Sequence, residues 1–172
     1  LEGHPCIKIN GVDVSSGSLG QGLSIANGMA ISKKVSGKEG NVYCLVGDGE
    51  IEEGQIWEAC MTASKYKLNN VIAFLDNNGL QIDGNIMDVK GLNHIKEKFE
   101  AFGWYVQEID GHDFKQILEA IDNTNSSNLP NMIIAKTIKG KGVSFMENQA
   151  GWHGKAPDAE LTAIALKDLE GE

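Results

Sequence analysis

Apolar residues in this chain cluster into short unbroken runs separated by amphipathic stretches. Residues 42–46 and 71–75 are continuous apolar runs, the pattern of strands buried on both faces of a parallel sheet. Residues 104–109 and 132–137 read as two further strands. Between the runs the period changes. Residues 17–36 place Leu23, Ala26, Ala30 and Ile31 at helical spacing, with Gly37 as a stop. The small residues Ser24, Ala26, Gly28 and Ala30 suggest that this helix is closely packed and buried. Residues 54–67 put Ile56, Ala59, Cys60, Ala63 and Tyr66 on one inward face. Residues 92–102 read as a helix ended by Gly103, and Asp113 is placed to cap a helix over 114–123. Ala159–Leu169 reads as a terminal helix.

The order is helix, strand, helix, strand, helix, strand, helix, strand, tail. Such alternation predicts an α/β fold, a mostly parallel sheet with helices on both faces. The remaining stretches read as loops. Residues 1–16 hold a short extended piece over 11–15, 77–89 are turn-rich, 123–131 are polar, and 148–157 carry Trp152 and His153.

Composition narrows the class. With 172 residues, 41% of them hydrophobic, the chain suits one globular domain with its own core. A net charge of -9 argues against nucleic acid or an anionic membrane as partner. It also means that any anionic ligand must be attracted locally, by a metal or a helix N-terminus. The thiols Cys6, Cys44 and Cys60 show no metal-ligand or CxxC spacing, and read as small buried or half-buried side chains in a reducing cytosol. No apolar run is long enough to span a membrane. A chain opening at Leu1 rather than Met is expected to be a fragment or processed piece.

The chemistry gathers at two strand ends. Gly47-Asp48-Gly49 follows the first apolar run, and Asn77-Asn78 follows the second. Between Gly49 and Asn77 lie 27 residues, room for a helical crossover between parallel neighbours. Both clusters then fall at the carboxyl edge of the sheet, where open α/β folds bind ligands. Asp48 offers a hard anionic oxygen, an Asn77 or Asn78 side chain a neutral one, and a backbone carbonyl near Leu80 a third. Mg²⁺ and Ca²⁺ prefer such oxygens and share them with phosphates. Gly47 and Gly49 permit close backbone approach. The glycines before residue 21 are placed to bare N–H groups at a helix start, where an anion gains about 0.3–1 kcal/mol. Glu50, Glu52, Glu53 and Glu58 crowd the next helix start. The Lys139-Gly140-Lys141-Gly142 segment lacks the GxxxxGK[ST] pattern and reads as a flexible basic loop. No strand is followed by GxGxxG, which weakens a nucleotide-binding reading.

GDG, a helix-length gap and then NN resembles the thiamin-diphosphate signature. The likeness to transketolase runs nearly end to end: GHP at 3–5, GVDVSSGSLGQGLSIANGMA at 11–30, GDGEIEEGQIWEA at 47–59, DNNGLQIDG at 76–84, FGWYVQEIDGHD at 102–113 and WHGKAP at 152–157. The short layout resembles the split transketolases, made of separate N- and C-terminal subunits. That resemblance implies a thiamin-diphosphate-binding (PP-type) fold, a single diphosphate-binding domain over 1–172, and an absent upstream family segment. It implies that Asp48, Asn78 and the Leu80 carbonyl hold Mg²⁺ or Ca²⁺ against the diphosphate. Gly17, Leu19, Gly47, Gly49, Glu50, Ile82 and His153 would line the cofactor. Ile82 would press on the thiazolium ring. His153 and His4 would meet the donor sugar, and Glu53, with Glu58, would join a carboxylate network between paired sites. Glu50 stands where other members carry smaller residues. The activity implied is transfer of a two-carbon ketol unit from ketose phosphate to aldose phosphate. The implied setting is cytoplasmic. The implied partner is a C-terminal pyrimidine-domain subunit, in a homodimer or heterotetramer. The competing readings are deoxyxylulose-phosphate synthase, an inactive scaffold and a 2-oxo-acid dehydrogenase α subunit.

Overall fold

The four expected strands form one parallel sheet in the computed structural model, which describes residues 3–171. The first two and the last residue, including the Leu1 end of the opening loop, lie outside the described residues. Helix α1 (Gln21–Val35) precedes β1 (Val42–Gly47). A 3-10 turn (Glu50–Glu52) and α2 (Gly54–Lys65) lead to β2 (Val71–Asn77). A small antiparallel hairpin follows, β3 (Leu80–Gln81) with β4 (Gly84–Asn85), then α3 (Ile86–Val89) and α4 (Ile95–Ala101). The chain ends with β5 (Tyr105–Asp110), α5 (Phe114–Thr124), β6 (Asn131–Lys136) and α6 (Ala159–Leu169).

The strand order is β1-β2-β6-β5. The step from β5 to β6 therefore runs back toward the middle of the sheet. A parallel crossover keeps its right hand only if a reversed step puts its helix on the other face. The packing agrees. Leu23, Ala26 and Ala30 of α1, Ile56, Ala59, Cys60 and Ala63 of α2 and Phe99 of α4 share one core with Val46, Leu75, Val106 and Ile134. Ala120, Ile117 and Ile121 of α5 cover Ile72, Ile109, Ile133 and Ala135 on the opposite face. That second layer stops short of the β1 edge, where Leu45 is 73% exposed.

Several local expectations need correction. Helix α1 starts at Gln21, because Gly17 and Gly20 have φ of 143° and 83° and cannot continue a right-handed helix. It buries one side only: Ser24 and Gly28 are open to solvent, while Leu23, Ala26, Asn27 and Ala30 are covered. Tyr66 lies past the end of α2 and is 61% exposed rather than inward. The extended piece over 11–15 forms no strand and remains irregular backbone, with the Ile7 N–H donating to Ser15 Oγ. The helix read over 92–102 begins only at Ile95, after Gly91 and His94 turn the chain through positive φ. The loop over 77–89 holds the β3–β4 hairpin and α3.

Candidate functional site

Parallel in-register pairing puts the two polar clusters side by side. Gly47 is the partner of Asp76, and the Asp48 N–H donates to the Asp76 carbonyl at 3.2 Å, carrying the β1–β2 ladder one residue further. Asp48 is 3% exposed. Its carboxylate accepts from the Gly79 N–H at 2.6 Å and the Gly49 N–H at 2.9 Å. Burial pushes the Asp48 carboxyl above the usual range, the two N–H groups pull it back, and the neighbouring Asp76 raises it again. Asn78 Oδ1 accepts from the Leu80 N–H at 2.9 Å, and its Nδ2 donates to Asp76 at 3.2 Å. Asp76 also accepts from the Thr137 hydroxyl at the end of β6.

The donor set suits a hard divalent cation. It consists of a buried carboxylate, a side-chain amide oxygen and nearby backbone carbonyls, and each oxygen keeps a lone pair beyond the N–H it already accepts. A desolvated Asp48 beside a second carboxylate is the electrostatic setting that a cation relieves. Among the described residues no three His, Cys, Asp or Glu side chains cluster as a metal site of their own.

The Gly49 backbone is so close to Gln81 in the hairpin that a Cβ there would lie 3.0 Å from the Gln81 Cβ. Ile82, at the hairpin tip, is 65% exposed. His4 stacks on Gly17, where a Cβ would meet its ring at 2.8 Å. Leu19 is 50% exposed. Glu50 turns to the backbone, accepting from the Gly20 N–H at 2.8 Å and the Gly47 N–H at 3.1 Å. The expected bare helix start is thus partly occupied by an internal carboxylate. Glu53 and Glu58 face solvent. His153 follows a 3-10 turn (Ala150–Trp152) that packs against β4, which brings its loop to the hairpin.

Three comparisons bear on identity. The family model described as transketolase, thiamine diphosphate binding domain, matches residues 1–169. The chain belongs to the transketolase family. It is 40% identical over its whole length to an apulose-4-phosphate transketolase subunit from Actinobacillus succinogenes, covering 63% of that protein. It is 42% identical over 94% of its length to a 6-deoxy-6-sulfo-D-fructose transketolase subunit from a Clostridium species, covering 59% of it. A crystal structure of Campylobacter jejuni transketolase superposes with a TM-score of 0.88 at 35% identity, over 97% of this chain and 27% of that one. The chain thus spans about 60% of the length of the subunit relatives it matches. The transketolase kinship and the thiamin-diphosphate-binding fold expected from the motifs both hold.

Within this transketolase domain, Lys139 gains a place that its reading as part of a flexible basic loop did not give it. The 139–142 segment is an ordered turn, with Gly140 against the Met146 backbone, the Asn148 N–H on the Lys139 carbonyl at 2.9 Å and the Gly142 N–H on Glu147 at 2.9 Å. Lys139 Nζ lies 3.3 Å from His153 Nδ1. With Asp76, Asn78, His112 and Thr137, Lys139 lines a cleft of about 450 Å³ across the carboxyl ends of the strands, floored by Leu45, Phe74 and Ala135. No local pattern announces Lys139; only the GKG turn and a histidine in the following loop hinted at it. No helix among the described residues is long and apolar enough to cross a membrane.

Proposed function

We propose that this chain is the cofactor-anchoring, N-terminal half of a two-chain transketolase. It would move a two-carbon ketol unit from a ketose phosphate to an aldose phosphate in the cytoplasm, as one domain over 1–172. The observation that carries this reading is Asp48. It is a buried carboxylate at the end of β1, tied by the Gly79 N–H to the turn after β2, whose Asn78 donates to the neighbouring Asp76.

In this reading Asp48, Asn78 and the Leu80 carbonyl hold Mg²⁺ or Ca²⁺. The cation would take the diphosphate, the Gly49 N–H, shared with Asp48 Oδ1 at 2.9 Å, would bond a phosphate oxygen, and Gly17 and Leu19 would meet the cofactor through their backbone. Ile82, exposed at the hairpin tip, packs on the cofactor ring. Thiamin diphosphate supplies the electron sink for C–C cleavage. His153, with Lys139 beside it, contacts diphosphate and donor hydroxyl and holds the proton that leaves that hydroxyl. His4, resting on Gly17, bonds the donor sugar. Glu53 and Glu58, both solvent-facing here, belong to the contact between paired sites. The bacterial relatives are named as single subunits of transketolases, which supports a second, pyrimidine-domain chain as partner.

Thermal unfolding tests this reading. A rise in melting temperature that needs thiamin diphosphate and Mg²⁺ together is the expected result. Ketol transfer should appear only after a transketolase C-terminal subunit is added. A chain that shows neither effect, with or without that subunit, is not a cofactor half-site.

A further inference from the structure

The segment Gly17–Gly20 between the opening loop and α1 is held from below by two side chains that follow the GDG turn. Glu50 Oε1 accepts the Gly20 N–H at 2.8 Å while its Oε2 accepts the Gly47 N–H at 3.1 Å. One carboxylate therefore fastens the start of α1 to the end of β1. Five residues on, Gln55 Nε2 donates to the Leu19 carbonyl at 2.9 Å. Gly20 lies so flat on this side chain that a Cβ would stand 2.6 Å from Gln55 Cγ, and its φ of 83° excludes most other residues in any case. Leu19 is left half in solvent, on top of the clamp.

We infer that Glu50 and Gln55 are positioning residues that fix the 17–20 backbone for the cofactor. The inference rests on the proposed cofactor role of Gly17 and Leu19. A carboxylate serves this purpose because it has two oxygens, one for each N–H group; an amide has one oxygen and satisfies only one of them. The Gly20 N–H at the mouth of α1 is engaged by Glu50 and the Gly49 N–H is already shared with Asp48, so the diphosphate is left chiefly to the cation.

A rival explanation makes Glu50 merely a negative charge near the site. The two explanations predict opposite signs. Removing a bystander charge tightens binding of an anionic cofactor, whereas removing a clamp weakens it. Gln55 carries no charge, so its removal tests the clamp alone.

The test is calorimetric titration of the chain with thiamin diphosphate at saturating Mg²⁺, with amide exchange followed at Gly20. Glu50→Ala and Gln55→Ala should each raise Kd about tenfold or more. The double variant should fall short of the product of the two effects, because both act on one segment. Glu50→Gln should recover part of the loss. Gly20 exchange should accelerate in Glu50→Ala while the melting temperature of the cofactor-free chain moves little. Unchanged or tighter binding by Glu50→Ala and Gln55→Ala, in a chain that itself binds the cofactor, overturns the clamp alone. Absence of binding by the unsubstituted chain, also with the second subunit present, overturns the functional reading and the inference together.

Discussion

Replacing Asp48 by Asn separates its charge from its hydrogen bonding. The carboxylate serves two N–H groups, Gly79 at 2.6 Å and Gly49 at 2.9 Å. The amide oxygen of Asn keeps one and loses the other. An N–H left without a partner costs about 1–3 kcal/mol when fully buried and less at a part-open turn such as this one. An opposing effect acts on the same residue. Its pKa is raised by burial, so the fold binds the proton more tightly than the unfolded chain does. That contribution favours the fold below the unfolded value of about 3.9 and is lost as pH rises through the raised folded value. At neutral pH the ionised carboxylate therefore costs stability that Asn does not. The two effects offset, and the melting temperature without ligand should stay within about 4 °C of the unsubstituted chain.

The ligand effect is larger. A ligand at a hundred times its Kd stabilises by about 2.7 kcal/mol, or roughly 5–11 °C for a chain of this size. If Asp48 holds the cation, Asp48→Asn loses that whole rise while remaining folded. Differential scanning fluorimetry with Mg²⁺ alone, thiamin diphosphate alone and both resolves the two effects. A full ligand shift in Asp48→Asn would refute the metal assignment. A collapse of the ligand-free melting temperature by more than about 10 °C would refute the offset argued above. In the unsubstituted chain the ligand shift should grow with pH through the raised Asp48 pKa, since the protonated carboxyl is a poor cation ligand.

Other outcomes follow from single contacts. Phe99 is fully buried between Trp57 and Trp104, with ring centroids 5.1 and 6.0 Å away. Phe99→Ala should cost about 3–5 kcal/mol in urea unfolding, and a loss under 1 kcal/mol would mean that the cluster collapses onto the gap. Burial pushes the Cys44 thiol to about 11 and the Cys60 thiol to about 12. Their thiolate fractions at pH 8 are then on the order of one in a thousand and one in ten thousand. Cys6, in the opening loop, should take up a thiol reagent first, and rapid labelling of two sites in the native chain would contradict this. Asp113 accepts from the Lys115 and Gln116 N–H groups at the start of α5, and the Gln116 side chain above all holds its pKa below the ordinary value. Its contribution is present above the unfolded pKa of about 3.9 and fades as pH falls below it. Between pH 5 and 3 the unsubstituted chain should therefore lose more stability than Asp113→Asn, which caps without titrating; equal losses would remove Asp113 from the acid response.

What was legible in the sequence was what local pattern determines. Short apolar runs between helical stretches favour the strands of a parallel sheet, so the strands and the α/β class followed from them, although Tyr43 and Leu45 of β1 stay exposed on one face. Adjacency of Asp48 and Asn78 followed too, because a helical crossover between the runs puts their ends on one edge, and Gly47 pairs with Asp76. Strand order was not legible. Nothing in the apolarity of β6 says that it lies between β2 and β5. Tyr66 fits the helical period of α2, yet it stands one residue past the helix and turns outward. Two glycines with positive φ, Gly17 and Gly20, moved the start of α1, and composition alone could not say which glycines would adopt that conformation. The contacts of Glu50 and Lys139 were hidden for a different reason. Glu50 reaches back 30 positions to Gly20, and Lys139 meets His153 from 14 positions away. Such pairings exist only once the fold has closed.

The electrostatics impose an order on binding. The chain carries a net charge of -9, and Asp48 and Asp76 raise the negative potential at the carboxyl edge where a diphosphate is to be held. Glu50 engages the N–H of Gly20 that would otherwise attract an anion. Lys139, beside His153, brings one positive charge to the cleft. A free diphosphate therefore approaches an unfavourable field, and a divalent cation seated on Asp48 reverses its sign. On this reasoning thiamin diphosphate without Mg²⁺ should leave the melting temperature where it was. Lys139→Ala should weaken the cofactor bound with Mg²⁺ by a factor of about 5–50, the value of roughly 1–2.3 kcal/mol for one partly desolvated charge-assisted contact. Titration at 0.05 and 0.5 M salt checks it, because the loss should shrink as salt screens the lysine. Tight, Mg²⁺-independent binding of the cofactor would show that the chain holds the anion by its own donors, and the cation-first argument would fall.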